Sequence, residues 1–216
     1  VGTSATAFTS ILDHAIINIM DLIAKMTQHF DDSAEALYLS AQELTEPLAA
    51  SVELLFATLT NNGKALACGN GGSAADAQHF IAELVGRFER DRLPLAGIAL
   101  NTDTSILTAV GNDYGFDAVF ERQVAALGQT GDILIAISTS GNSENVMRAI
   151  QVAHERDLVV IALTGKGGGK IGKMLRDTDI HLCVPHERTM RIQEVHMLML
   201  HAMCDGIDAL LLGDVE

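Results

Sequence analysis

From Gly63 onward the sequence alternates short apolar runs with helix-length amphipathic segments, and few folds admit that alternation. The short runs cover residues 64–68, 95–100, 132–138, 158–163 and 179–184. Their apolar cores are nearly continuous, as in strands covered on both faces. Helical patterns follow over 74–88, 116–127, 144–155 and 190–212. Strand and helix in succession predict a doubly wound α/β fold around a five-stranded parallel sheet. Ahead of Gly63 the texture is helical. Phe8, Ile11, Leu12, Ala15, Ile16, Ile19, Leu22, Ile23 and Met26 form one apolar stripe. A second helix is expected over 33–44. A third begins near Thr45, with Glu46 and Pro47 in its first turn, and stops at Asn61-Asn62-Gly63. The expected organisation is one domain over 1–216, with 1–62 as a helical segment and 63–216 as the α/β core.

Composition narrows the partners. The formal charge is −14, so neither nucleic acid nor an anionic membrane is an expected partner, since both demand clustered positive charge. Hydrophobic residues make up 48% and charged residues 19%, which leaves little polar surface and points to an oligomer. Cys68, Cys183 and Cys204 are odd in number and far apart, as in a cytoplasmic protein. The apolar N-terminal stretch carries Asp13, His14 and Asp21 without a basic leader, so no secretory signal is expected. No run of about 18 uncharged apolar residues is present, so no membrane span is expected.

Two expected strands run directly into turns rich in glycine and serine. The first is Cys68-Gly69-Asn70-Gly71-Gly72-Ser73, and the second is Ser138-Thr139-Ser140-Gly141-Asn142-Ser143. Each offers backbone N–H groups, hydroxyls and a helix N-terminus aimed at one spot, which suits a phosphate. Gly69 to Ala74 also fits G-x-G-x-x-A, but the acid that a dinucleotide needs about 20 residues on is missing. Gly165-Lys166-Gly167-Gly168-Gly169-Lys170 lacks P-loop spacing and reads as a solvated, flexible turn.

The metal-type residues fall on two helices. His79 and Glu83 are four apart and share a face. Gln193 and His201 lie two turns apart on the last helix, and His196 points about 140° away from His201. Two such pairs meeting across helices would suit a divalent ion such as zinc, and a surface His–Glu pair with core histidines is the alternative. None of His14, His29, His154, His181 and His186 has a spaced partner. Arg87, Arg90 and Arg92 flank Glu89 and Asp91 in what reads as a solvated charge run, from which Arg87 could reach the site. Asn112-Asp113 closes a short helical stretch and reads equally as a turn.

Four blocks together resemble the bacterial phosphoheptose isomerases, a group within the sugar-isomerase (SIS) domain family. They are Cys68 to His79, Gly111-Asn-Asp-Tyr-Gly-Phe116, Ile137 to Ser143 and Arg191-Ile-Gln-Glu-Val-His196. The resemblance runs from about residue 26 to the C-terminus, and residues 1–19 have no counterpart in it. It implies flavodoxin-like strand order 2-1-3-4-5. It implies substrate contacts at Asn70, Gly71, Gly72, Glu83, Asn112, Asp113, Ser138, Thr139, Ser140, Ser143 and Gln193. It also implies one zinc per subunit held by His79, Glu83, Gln193 and His201, which selects His201 over His196.

The activity implied is isomerisation of sedoheptulose 7-phosphate to the aldoheptose 7-phosphate, with Glu83 and His201 as the acid–base groups. That is the first step toward nucleotide-heptose for lipopolysaccharide core or another surface glycan. The assembly implied is a homotetramer with sites between subunits. A different function is implied by Ile98 to Asp103 and Met203 to Asp208, which resemble a non-catalytic SIS regulator that binds the bacterial replication initiator. Replacement at Glu83 and His201 is expected in that group, and both are intact here.

Overall fold

The computed structural model describes residues 19–213. The part of the apolar stripe before Ile19 lies outside the described residues. The chain divides into two compact units at Glu35/Ala36. In the described part of the first unit, the helical residues Ile19, Met20, Ile23 and Phe30 expose apolar side chains to solvent.

Five strands form one parallel sheet: β1 (Ala65–Cys68), β2 (Gly97–Ala99), β3 (Ile133–Ser138), β4 (Val159–Thr164) and β5 (Ile180–Cys183). Their order is β2-β1-β3-β4-β5, as the resemblance implied. Every pairing is parallel, with Ala67 opposite Ala99 on one side and Ile135 on the other. The continuous apolar strands divide by period two. Ala65, Ala67, Ile133, Ile135, Ile137, Ile161 and Leu163 enter one core, and Leu66, Leu134, Ala136, Val160 and Ala162 enter the other.

Helices cover both cores. On the first face lie residues 36–60 of α1 (Ile19–Thr60), with α2 (Gly72–Val85) and α7 (Thr189–Leu212). On the second lie α4 (Glu121–Leu127), α5 (Glu144–Glu155) and the single-turn α6 (Ile171–Met174). Between β2 and α4 runs α3 (Thr104–Tyr114), capped by Asp103, whose carboxylate accepts from the Ile106 N–H. α7 is long and apolar enough to cross a membrane by length and composition. Its apolar face is nonetheless in the core, through Ile192, Val195, Met199, Leu200, Met203, Cys204 and Ile207.

The N-terminal helices differ from expectation. The second and third are one continuous helix, α1, with Pro47 in its interior. An interior proline costs about 3 kcal/mol because it removes a hydrogen bond and crowds the preceding turn. Packing outweighs that cost. Ala36, Ser40, Leu44, Ser51, Leu55 and Leu59 are buried at helical spacing on both sides of Pro47, so one stripe continues through it. Ser51 donates to the Pro47 carbonyl at 2.9 Å.

The Gly165–Gly169 stretch is likewise more than a solvated turn. Gly165 and Gly168 are buried, and the stretch packs against the turn after β3. Two histidines without a sequence neighbour find partners by folding. His154 Nε2 meets Asp179 at 2.7 Å, and His181 Nε2 meets the Thr164 hydroxyl at 2.7 Å.

Candidate active site

β1 and β3 are neighbours at the point where strand order reverses, the place where open α/β sheets bind ligands, beyond the C-terminal ends of the strands. Both glycine–serine turns lie there. The turn after β1 places Gly71 at φ +58° as the N-cap of α2, where no side-chain bond closes the helix end. Gly72 has a second constraint: a Cβ there would collide with the Gln193 amide of α7. The turn after β3 leads into α5 through Ser143, which also caps without a side-chain bond. The first N–H groups of α5 are thus left for a ligand. Ser143 Oγ instead lies 2.8 Å from Ser138 Oγ, and Ser140 Oγ accepts from the Asn142 N–H.

The two turns are joined. Asn70 and Asn145 exchange two amide hydrogen bonds of 2.9 Å each. Asn145 was not singled out in the sequence, since it looks like an ordinary first-turn residue of α5. A third loop supports the second turn. A Cβ on Gly141 would land on the Gly168 carbonyl, and one on Gly169 would press on the Ser140 and Gly141 carbonyls. Asn142 Oδ1 accepts from the Lys170 N–H.

His79 projects from α2 to meet His201 of α7, and Glu83 flanks His79 one turn on. The His201 and His79 Nε2 atoms are 3.0 Å apart, and His79 Nε2 lies 3.2 Å from Glu83 Oε1. The imidazole rings sit 5.1 Å apart, and the Phe88 ring lies 5.7 Å from that of His201. Two nitrogens on a tetrahedral zinc with bonds of 2.0–2.1 Å are about 3.3 Å apart, close to the His79–His201 separation, and imidazole and carboxylate are donors that zinc accepts. Among the described residues, no three such side chains are already arranged around one ion position. Gln193, the fourth expected ligand, lies against Gly72, about 12 Å along the helix axis from His201.

His196 is a core residue. It is fully buried, and its Nε2 lies 2.9 Å from the Thr164 carbonyl, while burial pushes its pKa down to about 4. Asp76, one turn before His79, is a group that sequence spacing alone did not mark. It is buried with Oδ2 unpartnered, and burial raises its carboxyl to about 6 against the pull of His79. Its signal was the i, i+3 relation to His79. Cys68 and Cys204 are buried, and desolvation lifts both thiols to about 12, which leaves them inert.

Three expectations are corrected or left apart. Arg87 folds onto the carbonyls of Phe88 and Glu89 and not onto the cluster. Arg92 is not part of a solvated charge run, since its side chain is 1% exposed and ion-paired to Asp208. Asn112 and Asp113 stand exposed at the end of α3, bonded to each other. Among the described residues no hydrogen bond joins them to the two turns.

The SIS domain family model matches residues 28–165. A phosphoheptose isomerase of Bordetella avium is 72% identical over 197 residues, which is 91% of this chain and 100% of that protein. The chain belongs to the phosphoheptose isomerases of the SIS family. Solved structures agree with that placement. The phosphoheptose isomerase of Neisseria gonorrhoeae is 58% identical, with a TM-score of 0.83 over 87% of this chain and 99% of that one. The phosphoheptose isomerase of Francisella tularensis is 45% identical, with a TM-score of 0.84 over 86% and 97%. The phosphoheptose isomerase fold thus extends over both turns and the His79–Glu83–His201 cluster.

Proposed function

We propose that the protein is an aldose–ketose isomerase that converts D-sedoheptulose 7-phosphate to D-glycero-D-manno-heptose 7-phosphate. The observation that carries this reading is the approach of His201 on α7 to His79, which pairs with Glu83 on α2, the helix that starts at the first glycine–serine turn. The reaction moves one proton from C1 to C2 and one from O1 to O2. A base takes a proton from C1 of the ketose while O2 is protonated, which gives the enediol; O1 then loses its proton as one returns at C2, and O1 becomes the aldehyde oxygen. Glu83 and His201 are the groups proposed to hold and move that proton. Glu83 has two oxygens, of which Oε1 faces His79, so ligation and proton transfer can be divided between them.

Zinc, one per subunit, is proposed on His79, Glu83, Gln193 and His201, and when bound it supplies Lewis-acid polarisation of the sugar oxygens. Gln193 would have to turn from its place against Gly72 to join the set. The phosphate is proposed on Ser138, Thr139, Ser140 and Ser143, where hydroxyls and the α5 N-terminus converge, with Asn70, Gly71 and Gly72 along the sugar. Asn112 and Asp113 are proposed to reach the site of a neighbouring subunit, which accounts for their exposure at the end of α3.

The regulator reading is not favoured, because the groups such a protein does not need are present and His201 meets His79. Incubation with sedoheptulose 7-phosphate is expected to yield the aldoheptose phosphate by NMR, and elemental analysis is expected to find about one zinc per chain. Absence of product with reconstituted protein would refute the reading.

The assembly proposed is a homotetramer in the cytoplasm, feeding nucleotide-heptose for lipopolysaccharide core or another surface glycan. Unpaired thiols support the compartment. Exposed Ile19 and Phe30, 71% and 78% accessible, support the oligomer, as does an apolar groove lined by Leu37, Leu44, Leu48, Leu198 and Met199. Light scattering is expected to give about four times the chain mass, as closed symmetric assemblies of this kind do, and a monomer would overturn it.

A further inference from the structure

The last turn of α2 carries Glu83, and its free carbonyls are held by a side chain from the loop that follows. Arg92 Nη2 donates to the Glu83 carbonyl at 2.8 Å, and Nη1 donates to the Leu84 carbonyl at 2.9 Å. The same guanidinium donates through Nε to Asp208 Oδ1 on α7 at 2.6 Å. Both side chains are buried, 1% and 2% exposed. Asp208 follows His201 by seven residues, about two turns, and so shares its face. One planar fork therefore ties the backbone at Glu83 to the helix that carries His201. The carbonyls at a helix C-terminus have no intrahelical partner, so without Arg92 the end of α2 loses the bond at Glu83. A buried ion pair is poor evidence of stabilisation, because desolvation offsets much of the attraction. What this pair supplies is a fixed distance between two helices.

We propose that Arg92 and Asp208 are a positioning pair that sets the spacing of α2 and α7 and thereby holds the His79–Glu83 pair of α2 against His201 of α7. The proposal rests on the assignment of Glu83 and His201 as the proton-moving groups. Lysine at position 92 keeps the charge but cannot reach Asp208 and two carbonyls at once. The double substitution Arg92→Met with Asp208→Leu removes the pair while filling its volume, an exchange that is often neutral or stabilising.

The experiment measures kcat and KM per folded chain for Arg92→Lys, for the double variant and for Glu83→Gln, with imidazole NMR signals recorded on each metal-free protein. The expected result is a loss of about 10²-fold in kcat for Arg92→Lys and the double variant, with KM nearly unchanged, since a displacement of about 1 Å can cost that much. The signals of His79 and His201 are expected to shift, and the double variant is expected to keep its unfolding midpoint. Wild-type kcat per folded chain in either Arg92 variant overturns the proposal, because the pair then only stabilises. Unshifted imidazole signals overturn it as well. If the double variant does not fold, Arg92→Lys decides alone. Full turnover in Glu83→Gln removes the reading of the site and the pair's role with it. An inactive Glu83→Gln beside active Arg92 variants removes only the pair's role.

Discussion

Glu83→Gln and His201→Ala are each expected to slow isomerisation by about 10²–10⁴-fold, the usual contribution of a positioned acid or base. Glu83→Gln keeps the size and polarity of the side chain but removes the anion that faces His79 Nε2 at 3.2 Å. His201→Ala removes the Nε2 that lies 3.0 Å from its His79 counterpart. Neither change touches the sheet cores, so the unfolding midpoint is expected to stay near that of the wild type. The double variant is expected to be little slower than the worse single one, because groups that act as a unit do not add. Turnover is followed by the appearance of the aldoheptose phosphate. Near-full activity in either single variant would show that the reaction runs elsewhere.

Gly141→Ala is expected to weaken binding of the phosphorylated sugar by at least about tenfold, since one hydrogen bond to a charged oxygen is worth ~1.5–3 kcal/mol. Two features combine at this position. The backbone sits at φ +63°, which L side chains resist, and the new methyl would collide with the Gly168 carbonyl. The turn from Ser138 to Ser143 must then move away from its supporting loop, and its hydroxyls move with it. Gly167→Ala is the control. Its φ is +70°, but nothing lies within 4 Å of a Cβ there, so only the backbone cost of about 1–2 kcal/mol applies. Titration with the phosphorylated and unphosphorylated sugars separates the two effects. Equal binding of the phosphorylated sugar by Gly141→Ala and wild type would place the phosphate elsewhere.

The sheet and its turns were legible because their signals are local. An apolar run covered on both faces needs no knowledge of what covers it. A turn of glycines and serines carries its own anion chemistry, and residues 144–155 were read with the bounds that α5 has. What escaped depends on distant partners. Pro47 is a helix-start signal until the stripe from Ala36 to Leu59 is seen to pack as one face. Arg92 reads as surface charge because Asp208 is 116 residues away. His154 lacked a spaced neighbour because Asp179 reaches it from the start of β5. Gly168 and Gly169 looked like slack because what they make room for is distant in sequence: the His181 ring on β5 for Gly168, and the Ser140 and Gly141 carbonyls after β3 for Gly169. His79 and Glu83 were legible as a pair on one helix, whereas their approach to His201 depends on the packing of α2 on α7.

The reciprocal amide bond between Asn70 and Asn145 has a thermodynamic consequence. Loops that close on a ligand one at a time each lose conformational freedom at the moment of binding, and that loss is subtracted from affinity. Here the two turns are already one body before any anion arrives. Their ordering belongs to folding, where the cooperative collapse of the sheet drives it. A ligand that spans both turns therefore meets a cradle whose two halves cannot drift apart, and its own contacts are free to orient the sugar.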